Sequence, residues 1–185
     1  MRYLSKTLDS RVIASDWKYP SDARAIRQEL IREQRGFCAY SERFIQATDS
    51  CDVEHFDPRL KYKVGDDYWN WYAVLHWMNS HKARNIEPFL PLLNPFSPEL
   101  PSRICYEAGQ FVEANRDDIE AKNLIRYLGW NGPELAQDRS RHVRRVRELR
   151  SFFATDREFL DYLCDDPMSK SFITALEAEM DISIK

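Results

Sequence analysis

The sequence predicts an α+β fold, predominantly helical. Three observations carry that prediction. Apolar residues recur at helical spacing in 21–36 and again in the segments between 116 and 153. Two short runs, CDVEHF at 51–56 and RICYEAGQFVEA at 103–114, have the composition of strands, and Gly109 breaks the second into a hairpin. Five prolines between Pro88 and Pro101 (Pro88, Pro91, Pro95, Pro98, Pro101) make that stretch an ordered but irregular connector.

Taken in order, residues 1–20 read as an irregular arm ending at Pro20. Ser21 is placed to cap a helix whose Ala23, Ile26 and Leu30 share one face and which Gly36 stops. FCAYSERF, 37–44, is short and aromatic and suits a hairpin, and CDVEHF is a strand ended by Asp57-Pro58. Residues 59–67 are charged, contain Gly65, and read as a loop; the aromatic run 67–85 is expected to be helical toward its end. After the proline connector and the hairpin, helices are expected at about 116–128 and at 133–153, the latter opened by Pro133, with two shorter helices beyond. There is no internal repeat. The regions are 1–35, an N-terminal arm and helix; 36–95, a core carrying the chemistry; and 96–185, a hairpin and helical region expected to dock a partner.

Composition bounds the function. The chain has 185 residues, 43 % hydrophobic and 31 % charged, with five Trp, which suits one ordinary globular domain or one with an appendage. No apolar run approaches the roughly 20 residues of a membrane span, and MRYLSKTLDSR lacks the apolar segment of a signal peptide, so a cytoplasmic location is expected. Cys38, Cys51, Cys105 and Cys164 form no C-x-x-C pair and are expected as free thiols, the last three as small buried residues. The net charge of −3 means that any grip on nucleic acid is local or supplied by a partner.

The chemistry concentrates at Glu54-His55. Fourteen residues separate His55 from Asn70, and eight separate Asn70 from Asn79. This H-x14-N-x8-N spacing resembles the HNH endonucleases. GFCAYSERF, VEHFDP, MNSHKARN and LLNP, with Leu128-Gly129-Trp130-Asn131 and Arg139 or Arg141 further on, are similar to the HNH proteins of Septu and retron-type antiphage defence (PtuB-like), over roughly 30–150. The resemblance implies a ββα-metal core in which His55 is the general base and Asn70 holds its imidazole. Glu54 and Asn79 would bind one divalent cation, Mg²⁺ or Mn²⁺, that stabilises charge on the scissile phosphate. Adjacent strand residues point to opposite faces, which makes Glu54 less secure than His55. Taken alone, Glu54 reads equally as a solvated carboxylate and Asn79 as a helix cap.

The same resemblance implies two C-x-x-C knuckles around a structural zinc. Their positions hold Cys38, Ser41, Leu75 and Met78, so the knuckle is degenerate; structural zinc is expected to be absent, with Leu75 and Met78 packing against the 37–44 hairpin. Lys82, three residues after Asn79, is a candidate phosphate contact, as are Arg141, Arg144 and Arg145 in the arginine-rich run 139–150, where solvated surface or an acidic partner is the competing reading. Tyr68, Trp69, Trp71, Tyr72 and Trp77 read as core rather than as a base-stacking platform. Implied partners are a PtuA-like ABC-type ATPase and, in retron versions, a reverse transcriptase with its RNA–DNA product. The implied substrate is DNA or an RNA such as tRNA. The opposing expectation is a catalytically inactive HNH-fold scaffold bridging an ATPase and nucleic acid.

Overall fold

The structure, a computed structural model, describes Leu4 and residues 6–184; residues 1–3 and 5 of the expected arm, and Lys185 at the end of the third region, lie outside the described residues. It is an α+β arrangement, with eight α-helices and two two-stranded antiparallel sheets among the described residues. None of these helices is long and apolar enough to cross a membrane.

The arm contains a short helix, α1 (Arg11–Ala14), capped by Ser10, whose Oγ accepts from the Val12 N–H at 3.2 Å. Helix α2 (Ala23–Glu33) buries Ile26 and Leu30 as expected. Ser21 does not cap it. Its hydroxyl donates to the Lys18 carbonyl at 3.0 Å, and the Asp22 carboxylate accepts from the Lys18 N–H at 2.8 Å, so both side chains close the preceding turn. Helix α2 ends where Arg35 and Gly36 turn to positive φ, 55° and 84°. A Cβ at position 36 would lie 2.7 Å from the Phe44 ring, so glycine is needed for space as well as conformation. The expected 37–44 hairpin is reduced to a single antiparallel bridge, Phe37 to Phe44.

Strand β1 (Cys51–His55) pairs with β2 (Trp71–Leu75), from Cys51 opposite Leu75 to His55 opposite Trp71. β2 was not legible as a strand because WYAVL is buried on both faces and shows no alternation. It runs straight into α3 (His76–His81). The ribbon lies between two hydrophobic clusters. Tyr72 and Val74 join Tyr40, Met78, Leu124 and Tyr127, while Trp71 and Ala73 join Val12, Ile26 and Leu30. Through the register, Asp52 and Glu54 share the face of Val74 and Tyr72, and His55 shares the face of Trp71.

The proline connector ends in a turn of helix, α4 (Leu100–Arg103). Strands β3 (Ile104–Glu107) and β4 (Gln110–Glu113) form the expected hairpin, with Ala108 and Gly109 both at positive φ, as a tight two-residue turn requires. Four helices follow: α5 (Ile119–Tyr127), α6 (Pro133–Arg150), α7 (Asp156–Asp165) and α8 (Ile173–Met180). Arg139, one of the arginines of the basic run, is buried and structural. Its guanidinium donates to the Tyr106 hydroxyl at 3.2 Å and to the carbonyls of Trp130 and Gly109, both at 3.1 Å. Asn131 completes the joint, its amide exchanging hydrogen bonds with the Phe111 backbone at 2.9 and 2.8 Å. The Leu128–Asn131 turn is thereby pinned to the β3–β4 hairpin. Cys38 and Cys51 are buried, Cys105 is half-buried and Cys164 is exposed, so the expectation of burial fails for the last two.

Candidate functional site

β1 is the terminal strand of its sheet. The outer edge of β2 is already satisfied: the Ala73 N–H donates to Gln34 Oε1 at 2.9 Å, and the Ala73 carbonyl accepts from Gln34 Nε2 at 2.8 Å and the Ala39 N–H at 3.1 Å. Beside β1 lies a cavity of about 330 Å³ lined by Glu54, His55, Lys61, His76, Asn79 and Lys82, among others. Four of the residues singled out in the sequence, Glu54, His55, Asn79 and Lys82, therefore meet at one cavity. Asn70 lines a different one, with Phe56, Asp57 and Trp69.

His55 is 3 % exposed. Its ring packs edge-on against Tyr19 with centroids 4.6 Å apart. Nε2 lies 3.3 Å from Asp66 Oδ2 but off the line of a hydrogen bond, and is left without a partner. Burial lowers the pKa of the imidazole to about 4, with Lys61 and Lys82 acting in the same sense and Asp66 opposing them. At neutral pH His55 is an uncharged ring with unused hydrogen-bonding capacity, which is what a proton acceptor needs.

Asn70 does not hold that ring. Its Oδ1 accepts from the Asp57 N–H at 2.8 Å, and its Nδ2 donates to the Asp57 carbonyl at 3.1 Å and to Asp66 Oδ1 at 3.3 Å. The residue next to the imidazole is Asp66, steered by Asn70, by the Trp71 indole N–H at 2.7 Å and by the Tyr62 N–H at 2.8 Å. Nothing in the local sequence marks Asp66; it reaches His55 through the fold of the 56–70 loop.

Glu54 is also not where a metal ligand is expected. Its carboxylate meets the Lys82 ammonium at 2.6 Å, both side chains nearly fully buried. Lys82 Nζ further donates to the Tyr127 hydroxyl at 2.8 Å and reaches the His55 and Phe56 carbonyls at 3.3 Å, while the Tyr127 hydroxyl donates to the Phe56 carbonyl at 2.6 Å. Burial raises the Glu54 pKa and lowers that of Lys82, each against the pull of its partner. Lys82, a candidate phosphate contact, and Glu54, a candidate metal ligand, are thus each other's partners.

The carboxylate that reaches Asn79 is Asp52, whose Oδ2 accepts from Asn79 Nδ2 at 2.8 Å and lies 2.8 Å from His76 Nδ1. With Nδ1–H directed at Asp52, His76 Nε2 carries its lone pair outward, and Asn79 Oδ1 is also free of hydrogen bonds among the described residues. His76 and Asn79 sit three apart on α3, hence on one face. Sequence reasoning missed both Asp52 and His76. The available signal was periodicity: Asp52 precedes Glu54 by two on a strand, and His76 precedes Asn79 by three on a helix.

The four positions of the degenerate knuckle come together. Cys38, Leu75 and Met78 are buried in one cluster with Ala39 and Tyr40, and the Leu75 N–H lies 3.4 Å from Cys38 Sγ. Ser41, Leu75 and Met78 line a common cavity. Of the aromatic residues expected in the core, Tyr68, Trp71 and Tyr72 are buried and Trp69 is half-buried, whereas Trp77 is 40 % exposed and stacks on His81 at 4.0 Å. Arg141, Arg144 and Arg145 are exposed on α6. Comparison with protein-family models, with curated proteins and with solved structures gives no match to this chain.

Proposed function

We propose that the chain is a metal-dependent HNH-type endonuclease that hydrolyses phosphodiester bonds of DNA or RNA. The observation that carries this is that His55, His76 and Asn79 line one cavity, with Asp52 hydrogen-bonded to His76 and Asn79 behind it, on a strand–strand–helix unit of the order that a ββα-metal core requires. His55 accepts the proton of the attacking water. Asp66 stabilises the imidazolium that results, as a carboxylate near a histidine does. Asn70 fixes the loop that carries Asp66, so it acts at one remove from the base.

A divalent cation would be held by His76, in place of the expected Glu54, and by the expected Asn79; among the described residues no three His, Cys, Asp or Glu side chains are grouped to hold a metal ion. His76 Nε2 and Asn79 Oδ1 are unused, and Asp52 orients both side chains; Glu54, tied to Lys82, serves the scaffold. One imidazole nitrogen and one amide oxygen suit Mn²⁺ as well as Mg²⁺. Bound there, the cation would supply Lewis-acid stabilisation of charge on the phosphate and the leaving oxygen. Lys61 and Arg84 at the cavity rim add positive charge for a polyanion.

The resemblance extends the proposal to a defence complex. In it a PtuA-like ABC-type ATPase, with a reverse transcriptase and its RNA–DNA product in retron versions, assembles with this chain and controls it. The inactive-scaffold reading is favoured by one observation, the closure of Glu54 onto Lys82. The two separate in a cleavage assay with labelled DNA and RNA, with and without the ATPase, in Mg²⁺, Mn²⁺ or chelator. Metal-dependent cleavage that His55→Ala abolishes supports the enzyme. No cleavage under any of these conditions supports the scaffold.

A further inference from the structure

We propose that the groove beside α6 binds the phosphate backbone of the nucleic-acid strand whose scissile bond lies at the His55–Asn79 cavity. The choice of nucleic acid as occupant rests on the function proposed above. The groove is the larger feature, about 720 Å³, walled by α6, by the segment around Arg43 and by the approach to α8 at Met168–Phe172. Four guanidinium groups line it, Arg43, Arg141, Arg144 and Arg145, against two carboxylates, Asp138 and Glu148.

Arg43 pairs with Asp49 at 3.8 Å, whereas the three arginines on α6 are not consumed by the fold. Arg141, Arg144 and Arg145 form no ion pair among the described residues, in contrast to Arg147 and Arg150 on the same helix, which pair with Glu179 and Asp156. Arg141 stands three and four residues from Arg144 and Arg145, so like charges are stacked along one helix face, an unfavourable arrangement that an anion relieves. His142 steers one of them. Its Nε2 lies 3.0 Å from the Ser169 carbonyl, to which it donates, leaving Nδ1 to accept from Arg145 at 3.5 Å. Guanidinium forks suit the two free oxygens of a phosphodiester.

The groove shares two residues with a further cavity, and α3 stands between that cavity and the site. Arg43 and Asp138 also line an adjoining cavity of about 250 Å³, whose other wall includes Leu75, Trp77 and Met78. The same helix, α3, turns His76, Asn79 and Ser80 into the site cavity. A strand that leaves the site cavity across the exposed face of α3 would meet Trp77 before the arginines. The exposed Trp77 indole, backed by the His81 ring, offers a base the stacking surface that an unpaired strand can use and a duplex cannot. A stacking surface beside the arginines favours a nucleic acid over an acidic protein.

The test is fluorescence anisotropy of the full chain with a labelled single-stranded 20-mer, as DNA and as RNA, in chelator so that cleavage does not intervene. The R141Q/R144Q/R145Q protein should bind at least tenfold more weakly, with a log–log salt slope shallower by about 2. Trp77→Ala should lose severalfold on the single strand. His55→Ala should bind like the parent, so failure of catalysis and failure of the groove are separable. Circular dichroism checks the triple variant; should it misfold, Arg144→Gln alone is expected to lose about threefold. Three results would overturn the proposal: affinity within twofold of the parent for a folded triple variant (or for Arg144→Gln in its place), equal affinity for a duplex 20-mer, or displacement of the oligonucleotide by poly-glutamate at lower charge concentration, which would assign the groove to an acidic protein.

Discussion

Asp52 Oδ2 lies 2.8 Å from His76 Nδ1, which makes a strand carboxylate the orienter of a helix imidazole. The same oxygen holds Asn79 at 2.8 Å, so one carboxylate aims two donors. Asp52→Asn should weaken Mn²⁺ binding by about 10–100-fold while leaving the thermal transition nearly in place, because the side chain is partly exposed. Calorimetric titration of the metal reads the first and circular dichroism the second. A metal affinity equal to the parent's would mean that the cation is held elsewhere.

The buried Glu54–Lys82 pair predicts a non-additive stability effect. Lys82→Met alone strands a carboxylate among Tyr40, Tyr72 and Tyr127 and should cost about 3–5 kcal/mol. The double variant Glu54→Gln, Lys82→Met should recover most of that loss. Urea denaturation of the two proteins and the parent measures it. A Lys82→Met protein as stable as the parent would show that the pair is not closed in solution.

The pH dependence follows from His55. In the unfolded chain its imidazole takes up a proton near 6.5, and in the folded protein only near 4. Between those values the unfolded state binds more protons, so folding stability contributed by this group is fully present above 6.5 and is lost as pH falls toward 4. Comparing the parent with His55→Gln from pH 7.5 to 4.5 isolates the effect. The variant should lose less stability over this range than the parent, and identical pH profiles would place the imidazole in water.

Asn70→Ala acts on the loop rather than on the base. It leaves the Asp57 N–H without its partner and the Asp57 carbonyl with only the Leu60 N–H, and frees one side of Asp66, at a cost of about 1–3 kcal/mol. Activity should fall because Asp66 is no longer held beside His55. The distinguishing measurement is hydrogen exchange, which should speed up in 56–70 and nowhere else. Unchanged exchange there together with lost activity would return Asn70 to direct contact with the imidazole.

Much of the arrangement was legible in the sequence, for physical reasons that differ by element. Helices α2, α5 and α6 and the β3–β4 hairpin follow from periodicity and turn chemistry, as at Ile26, Leu30 and Gly109. β2 was hidden because a strand buried on both faces has no period to read. At the candidate site, the spacing singled out His55 and Asn79, which the fold brings to one cavity, but the partners of Glu54, Asn70 and Lys82 were not legible. Which carboxylate meets which cation depends on the register of Asp52 with Val74 and Glu54 with Tyr72, and on the approach of Tyr127 from α5. Asp66 belongs to the same class, since its position is set by a loop whose course only the folded chain defines.

The most direct test is single-turnover cleavage of a labelled oligonucleotide in Mn²⁺ by the chain together with the proposed ATPase, for the parent and for His55→Ala. We expect the variant to bind substrate normally and to lose cleavage by at least a hundredfold. Cleavage by His55→Ala at the parent's rate would contradict the assignment of His55 as the base and place the reacting centre outside this cavity.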